Sequence, residues 1–336
     1  SDVGSDGGSC QQYGCRNGYH SWMKCQCNAD CERYGNCCGD FRSNCAKGSD
    51  VGSDGGDLQQ AEGAICPGSI GLGGHGPIQM TNAIWNKPSD PAGQVDVNDG
   101  VIRVEMKGRT YFSNACEPGI FSHSRYAGLN LLNKRISWTT DLSAAGCGCN
   151  AAFYLASLPQ NPEVSGCKDF YCDANSVCGV RCSEIDLQEA NLHAFHSVLH
   201  MAEDGSGEGL GYGGGGSNWN SHRDWTREEY GPGSSCIDTT QPFQVEVSFP
   251  VEENQEGKVL MKAMVTKVSQ NGCTLEASVE TDSYQFNDKS SAEELTQAFE
   301  NGMTPIVSYW SAPDMLWMDG QGADQLGPCE QDQPDL

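Results

Sequence analysis

The sequence predicts a mainly β protein, a β-jelly roll sandwich with a small N-terminal disulfide-knot domain. Three observations carry this. Segments such as VIRVEMKG, FQVEVSFPV and VLMKAMVTKV alternate apolar and polar residues between Gly-, Asn-, Ser- and Pro-rich breaks, which is the pattern of antiparallel strands at short spacing. Only SAEELTQAFENG, residues 291–302, has helical periodicity, with Ser as N-cap, Glu in the first turn and Gly at the end. Near the N-terminus, eight cysteines fall within 36 residues, flanked by two copies of SDVGSDGG.

Taken in chain order, residues 1–9 read as a flexible linker and 46–60 as a second one, since the repeated octapeptide is Gly, Ser and Asp with a single Val. Between them, residues 10–45 form a disulfide domain. Cys10, Cys15, Cys25, Cys27, Cys31, Cys37, Cys38 and Cys45 sit in a segment too short to hold itself by an apolar core, so disulfides must do it. Eight cysteines allow 105 pairings, and spacing does not choose among them. The stretch CQCNADCERYGNCCGDFRSNC resembles a somatomedin B domain. The resemblance implies a protein-binding knot, with Trp22, Met23 and Tyr34 available as its contact surface.

Residues 61–336 supply the strands of the sandwich, and the whole chain of 336 residues is long enough to bury a large core. A formal charge of -25 disfavours nucleic acid or an anionic membrane as partner. No apolar run is long enough to span a bilayer, and SDVGSDGGSC lacks the parts of a signal peptide, so the chain reads as a mature, secreted protein. Nineteen cysteines agree with an oxidising, extracellular compartment. No cofactor and no metal site are expected; a metal–thiolate cluster is disfavoured outside the cell.

The chemistry concentrates in CSEIDLQEANLH, residues 182–193. Glu184 and Asp186 share one face of a strand, whereas Glu189, five residues on from Glu184, points to the other. A bulge between them would turn Glu189 onto the face of Glu184. Two such carboxyls about 5 Å apart are the equipment of a retaining glycosidase, one attacking the anomeric carbon and the other protonating the leaving oxygen. Asp186 would then bond the nucleophile and help separate the two pKa values.

CSEIDLQEAN resembles the catalytic strand of glycoside hydrolase family 7, the cellobiohydrolases and endoglucanases that cut β-1,4-glucan with retention, on a concanavalin-like jelly roll. KRISWTTDLSAAGCGCNAAFYLASL, YCD, NWNSHR, YGPGSSCIDTT, GMTPIVSYW and MLWMDG agree with that family in the same order. The resemblance implies that Glu184 is the nucleophile, Asp186 its partner, Glu189 the acid/base, and His200 a neighbour that positions or charge-tunes the acid. It also implies that Asn150, Tyr154, Asp173 and Arg223 bond sugar hydroxyls and that Trp310 and Trp317 stack on sugar rings. His193 and His196 match no role and are taken as surface or packing residues. By the same resemblance Cys147 pairs with Cys329 and Cys172 with Cys182; Cys66–Cys116, Cys167–Cys178 and Cys236–Cys273 complete a provisional set, leaving Cys149.

Two departures bear on function. Gln188 stands where the family has Trp, and Ala174 replaces a serine that would donate to the nucleophile. The module is also short, with little sequence to roof a tunnel, so an open cleft and internal cutting follow. The expected function is a secreted retaining endo-β-1,4-glucanase acting on β-glucan, with a protein partner available to the knot. The alternatives are a non-catalytic glucan-binding wall or matrix protein, or a family 16-like β-1,3-glucanase.

Overall fold

The computed structural model describes residues 61–212, 225–312 and 315–320, together with Cys25, Cys37, Cys38 and Cys329. The chain divides into two compact units, Ser1–Leu58 and Gln59–Leu336. In the first, Cys25 is bonded to Cys38; Trp22, Met23, Tyr34 and both linker copies lie outside the described residues.

The second unit is built on two antiparallel sheets. Their strands are, in chain order, β1 (Ser69–Leu72), β2 (Gly76–Asn82), β3 (Gly108–Ser113), β4 (Arg135–Thr140), β5 (Cys149–Ala156), β6 (Glu184–Ala190), β7 (Phe195–His200), β8 (Glu208–Tyr212), β9 (Phe243–Ser248), β10 (Ala263–Gln270), β11 (Cys273–Glu280) and β12 (Thr304–Ser311). The larger sheet has the order β8-β7-β6-β5-β12-β3-β2-β1 and the smaller β4-β9-β10-β11. Period-2 alternation decides what each face does. On β5, Phe153 and Leu155 point to the inner layer with Ile185, Leu187, Phe195 and Leu199, and meet Val245, Val247, Met264 and Val268 of the smaller sheet. Full burial of side chains of this size is worth about 1.5–3 kcal/mol each. The alternate residues, Ala152 and Tyr154, belong to a second cluster with Tyr111, Phe170 and Tyr171 on the opposite face.

The predicted helix is present as α1 (Ser291–Asn301), and Leu295, Ala298 and Phe299 on its inner side join the main core. The cap differs from expectation: Ser290 occupies the N-cap without a side-chain bond, while the Ser291 hydroxyl donates to the Thr281 carbonyl. Gly302 ends the helix at φ 91°, and a Cβ there would lie 2.8 Å from the Gly128 Cα. Only glycine fits such a position. A second short helix, α2 (Leu316–Asp319), follows β12.

Five disulfides hold this unit: Cys66–Cys116, Cys147–Cys329, Cys167–Cys178, Cys172–Cys182 and Cys236–Cys273. These are the pairs expected from the sequence. Cys149 is buried and outside the disulfides, with a side-chain hydrogen bond to Tyr309.

Candidate active site

The acids sit on β6, a central strand of the larger sheet. Opposite it on β5, Ala156 faces Glu184 and Tyr154 faces Asp186, but Phe153 faces Gln188 and Ala152 faces Glu189. Leu187 is the extra residue, and the register with β7 shifts over the same interval. Residues paired across a ladder share a face, so Glu184, Asp186 and Glu189 all follow Ala156, Tyr154 and Ala152. The bulge reconciles the acids as the sequence required.

The same step turns Gln188 away. Its carboxamide oxygen accepts from Trp138 Nε1 at 3.3 Å and its Nε2 donates to the Ala151 carbonyl at 3.0 Å. Gln188 therefore faces the inner layer, where it satisfies the half-buried Trp138 indole, and the departure noted at this position does not reach the acids' side.

A cleft of about 550 Å³ opens over the acidic face, lined by Glu184, Asp186, Glu189, His200, Tyr154, Asp173, Trp310 and Trp317 among others. Glu184 is 8% exposed, and its Oε2 accepts the Ala174 backbone N–H at 3.0 Å. Ala174 lies within the loop closed by Cys172–Cys182, whose Cys182 is two residues from Glu184; Arg181 Nη1 also bonds the Ala174 carbonyl at 2.9 Å. The serine missing at 174 is thus offset by a main-chain donor fixed in place by a disulfide.

Asp186 is 5% exposed and bonds His200 Nε2 at 3.0 Å; the other ring nitrogen, Nδ1, is 3.0 Å from the Asp204 carbonyl oxygen. A ring nitrogen facing a carbonyl must carry a hydrogen, which leaves Nε2 as the proton-bearing partner of the carboxylate when the ring is charged. Burial alone would lower the His200 pKa, but the bond to Asp186 and its charge outweigh that and raise it to about 10. The site therefore holds an imidazolium between its carboxyls at neutral pH. His200 bonds Asp186, and its charge also acts on Glu189 and Glu184, holding both pKa values below where burial and the neighbouring carboxylates would put them. Gly207 makes room for the ring: its φ is 63°, and a Cβ would lie 2.5 Å from His200 Nδ1.

Glu189 Oε1 accepts from Asn150 Nδ2 at 2.8 Å, and Asn150 Oδ1 accepts the Ala190 N–H at 3.2 Å. Asn150 is fully buried. Both ends of its amide are engaged, so in this structure it holds the acid. Desolvation and then the neighbouring Asp186 charge push the Glu189 pKa up to about 8. Glu184 is raised well above the ordinary range by burial, then by Asp186 and Asp173. The main-chain donor on Glu184 favours ionisation there.

Asp173, 2% exposed, accepts the Val177 N–H at 2.9 Å, and burial raises its pKa. The Tyr154 and Tyr171 hydroxyls are 3.0 Å apart. Trp310 and Trp317 line the cleft while packing on Ala194, Met315 and Met318. Arg223 lies outside the described residues.

Among the lining residues that sequence reasoning missed are two buried basic side chains. Arg109 is 4% exposed, donates to the carbonyls of Trp85 and Asn86, and lies 3.8 Å from the Tyr171 ring centroid; a lone arginine in GRTYFS gave no signal. His196, set aside as surface or packing, is 1% exposed, lines the cleft and pairs in register with Glu189. Its spacing of seven from Glu189 is informative only once the hairpin register is known.

Known proteins show what this arrangement is similar to. Residues 8–48 match the Somatomedin B domain. Over 284 residues, 70% of this chain and 64% of the relative, the chain is 27% identical to the "Probable endo-beta-1,4-glucanase celB" of Neosartorya fischeri. It thus spans a little under two thirds of that relative's length. The native endocellulase EGI of Humicola insolens superposes with a TM-score of 0.52 at 17% identity, covering 81% of this chain and 89% of that one. A GH7 family cellobiohydrolase from Daphnia pulex superposes with a TM-score of 0.50 at 16% identity, covering 84% and 93%. The second unit has the fold of glycoside hydrolase family 7, a β-jelly roll sandwich.

Proposed function

We propose that residues 61–336 form a secreted retaining endo-β-1,4-glucanase, carried behind a somatomedin B-like domain at residues 10–45 that docks a protein partner. The observation that supports the hydrolase reading most is the bulge at Leu187, which turns Glu184 and Glu189 to the same cleft. In this reading Glu184, ionised and aimed by the Ala174 N–H, attacks the anomeric carbon. Glu189, kept protonated by its raised pKa and oriented by Asn150, donates to the departing glycosidic oxygen. After the first product leaves, Glu189 takes a proton from water, which attacks the glycosyl–enzyme and frees Glu184. Asp186, locked by His200, spaces the two glutamates and stabilises positive charge developing on the sugar. Tyr154, Asp173 and Arg223 bond hydroxyls, and Trp310 and Trp317 stack on rings.

The relatives' names support β-1,4-glucan as substrate and internal cutting. Disulfide density supports an extracellular setting. The non-catalytic reading drew on Gln188 and Ala174, yet Gln188 faces the core and Ala174 still donates through its backbone. That reading is not favoured, nor is the β-1,3-glucanase one. The test is the release of reducing ends from carboxymethyl cellulose and from laminarin by the full chain. Faster cleavage of the former, with a rapid fall in viscosity, is expected; no release from either overturns the hydrolase reading.

A further inference from the structure

We infer that His196 is a positioning residue that links the Glu189 acid to the Trp317 sugar platform; the inference rests on the hydrolase reading above. Three observations meet at this ring. His196 and Glu189 are direct partners across the β6–β7 ladder, which sets their Cβ atoms about 5 Å apart on a common face. The ring centroid lies 5.8 Å from that of Trp317, with the planes at 77°, an edge-on contact. The side chain is 1% exposed, yet it lines the cleft, so it occupies the wall between acid and platform instead of the solvent.

The consequence is mechanical. Glu189 is anchored from one flank by Asn150, and the cross-strand neighbour limits how its carboxyl leans on the other. Trp317 sits on the four-residue helix α2, too short to fix its own orientation, and rests on the His196 ring and on a small apolar cluster. A sugar stacked on Trp317 and a proton delivered by Glu189 must meet at one oxygen. One imidazole, the ladder partner of the acid and in contact with the platform, sets that distance. The role falls to a residue that touches neither reacting atom, so it is tested through the step it serves.

Acid assistance matters most when the leaving group is poor. The experiment compares wild type with His196→Ala and His196→Asn on aryl β-cellobiosides bearing a poor leaving group (phenol) and an activated one (2,4-dinitrophenol), with KM for a cello-oligosaccharide in parallel. Misplacement of the acid predicts a loss of about tenfold or more in kcat/KM on the phenyl glycoside, the lower part of the range for general acid catalysis. The dinitrophenyl glycoside changes by less than about threefold, since it needs little protonation. The oligosaccharide KM rises as Trp317 loosens. The Asn variant keeps a polar side chain in the buried site and carries the test if alanine prevents folding. Equal loss on both glycosides, or no loss on either, overturns the inference while the hydrolase reading stands. A wild-type chain that turns over neither glycoside overturns both.

Discussion

Replacing Asn150 by alanine tests how the acid is held and tuned. The amide makes two buried bonds, Nδ2 to Glu189 Oε1 at 2.8 Å and Oδ1 from the Ala190 N–H at 3.2 Å. The first favours the ionised acid and so holds its pKa down against desolvation and the Asp186 charge, which together raise it to about 8. A hydrogen bond to a charged group contributes about 1.5 kcal/mol, or about one pKa unit. Its loss moves the alkaline limb of kcat/KM from about pH 8 to about pH 9. The sign follows from the proton: the active acid is the neutral form, which a higher pKa preserves to higher pH. At the plateau, activity falls because the carboxyl is no longer oriented. The Ala190 N–H is left without its side-chain acceptor, a cost of about 1–3 kcal/mol in stability. A kcat/KM profile from pH 5 to 10 on an aryl cellobioside, beside a urea melt, reads both effects. An alkaline limb that stays in place or moves downward refutes the assignment of that limb to Glu189.

Three further outcomes follow from the same geometry. Glu184→Gln abolishes glucan hydrolysis, by at least about a thousandfold, yet melts no lower than wild type near neutral pH, because burial disfavours the charge it removes; a thermal scan beside the activity assay checks both. The folded pKa of His200 is raised from 6.5 to about 10, so its contribution is complete below pH 6.5 and lost as pH rises through about 10. The raised glutamates also lower stability with rising pH, from their ordinary range up to about 8 for Glu189. Wild-type stability in urea therefore declines from pH 6.5 to 10, and His200→Asn flattens the part above pH 8. Gly207→Ala puts a Cβ against the His200 ring at a φ of 63°, costing about 1–3 kcal/mol and most of the activity, as read by a urea melt and by turnover.

The strand that carries the chemistry was legible because its three acids are incompatible with unbroken alternation. The bulge at Leu187 is the physical solution. The helix at Ser291–Asn301 was legible from its start and stop signals, and Cys147–Cys329 and Cys172–Cys182 from the resemblance; the other three pairs of the large unit were provisional, because spacing alone chooses no pairing. Gln188 was misread for a reason contained in the same feature: a bulge that turns Glu189 to the cleft turns its neighbour to the core. The contact of Asn150 with Glu189 and the place of His196 beside it were not legible, because both depend on how the strands align: a side-chain bond reaches Glu189 from 39 positions away, and the β6–β7 register pairs it with a residue 7 positions on. Arg109 depends on longer contacts still, reaching Tyr171 across 62 positions of chain.

The central claim is that Glu184 and Glu189 act on one glycosidic bond from the same cleft in two displacements. Proton NMR of the first product formed from a cello-oligosaccharide tests it most directly. The β-anomer appearing first and then mutarotating is the predicted result. First appearance of the α-anomer, which requires a single displacement by water and more widely spaced carboxyls, contradicts it.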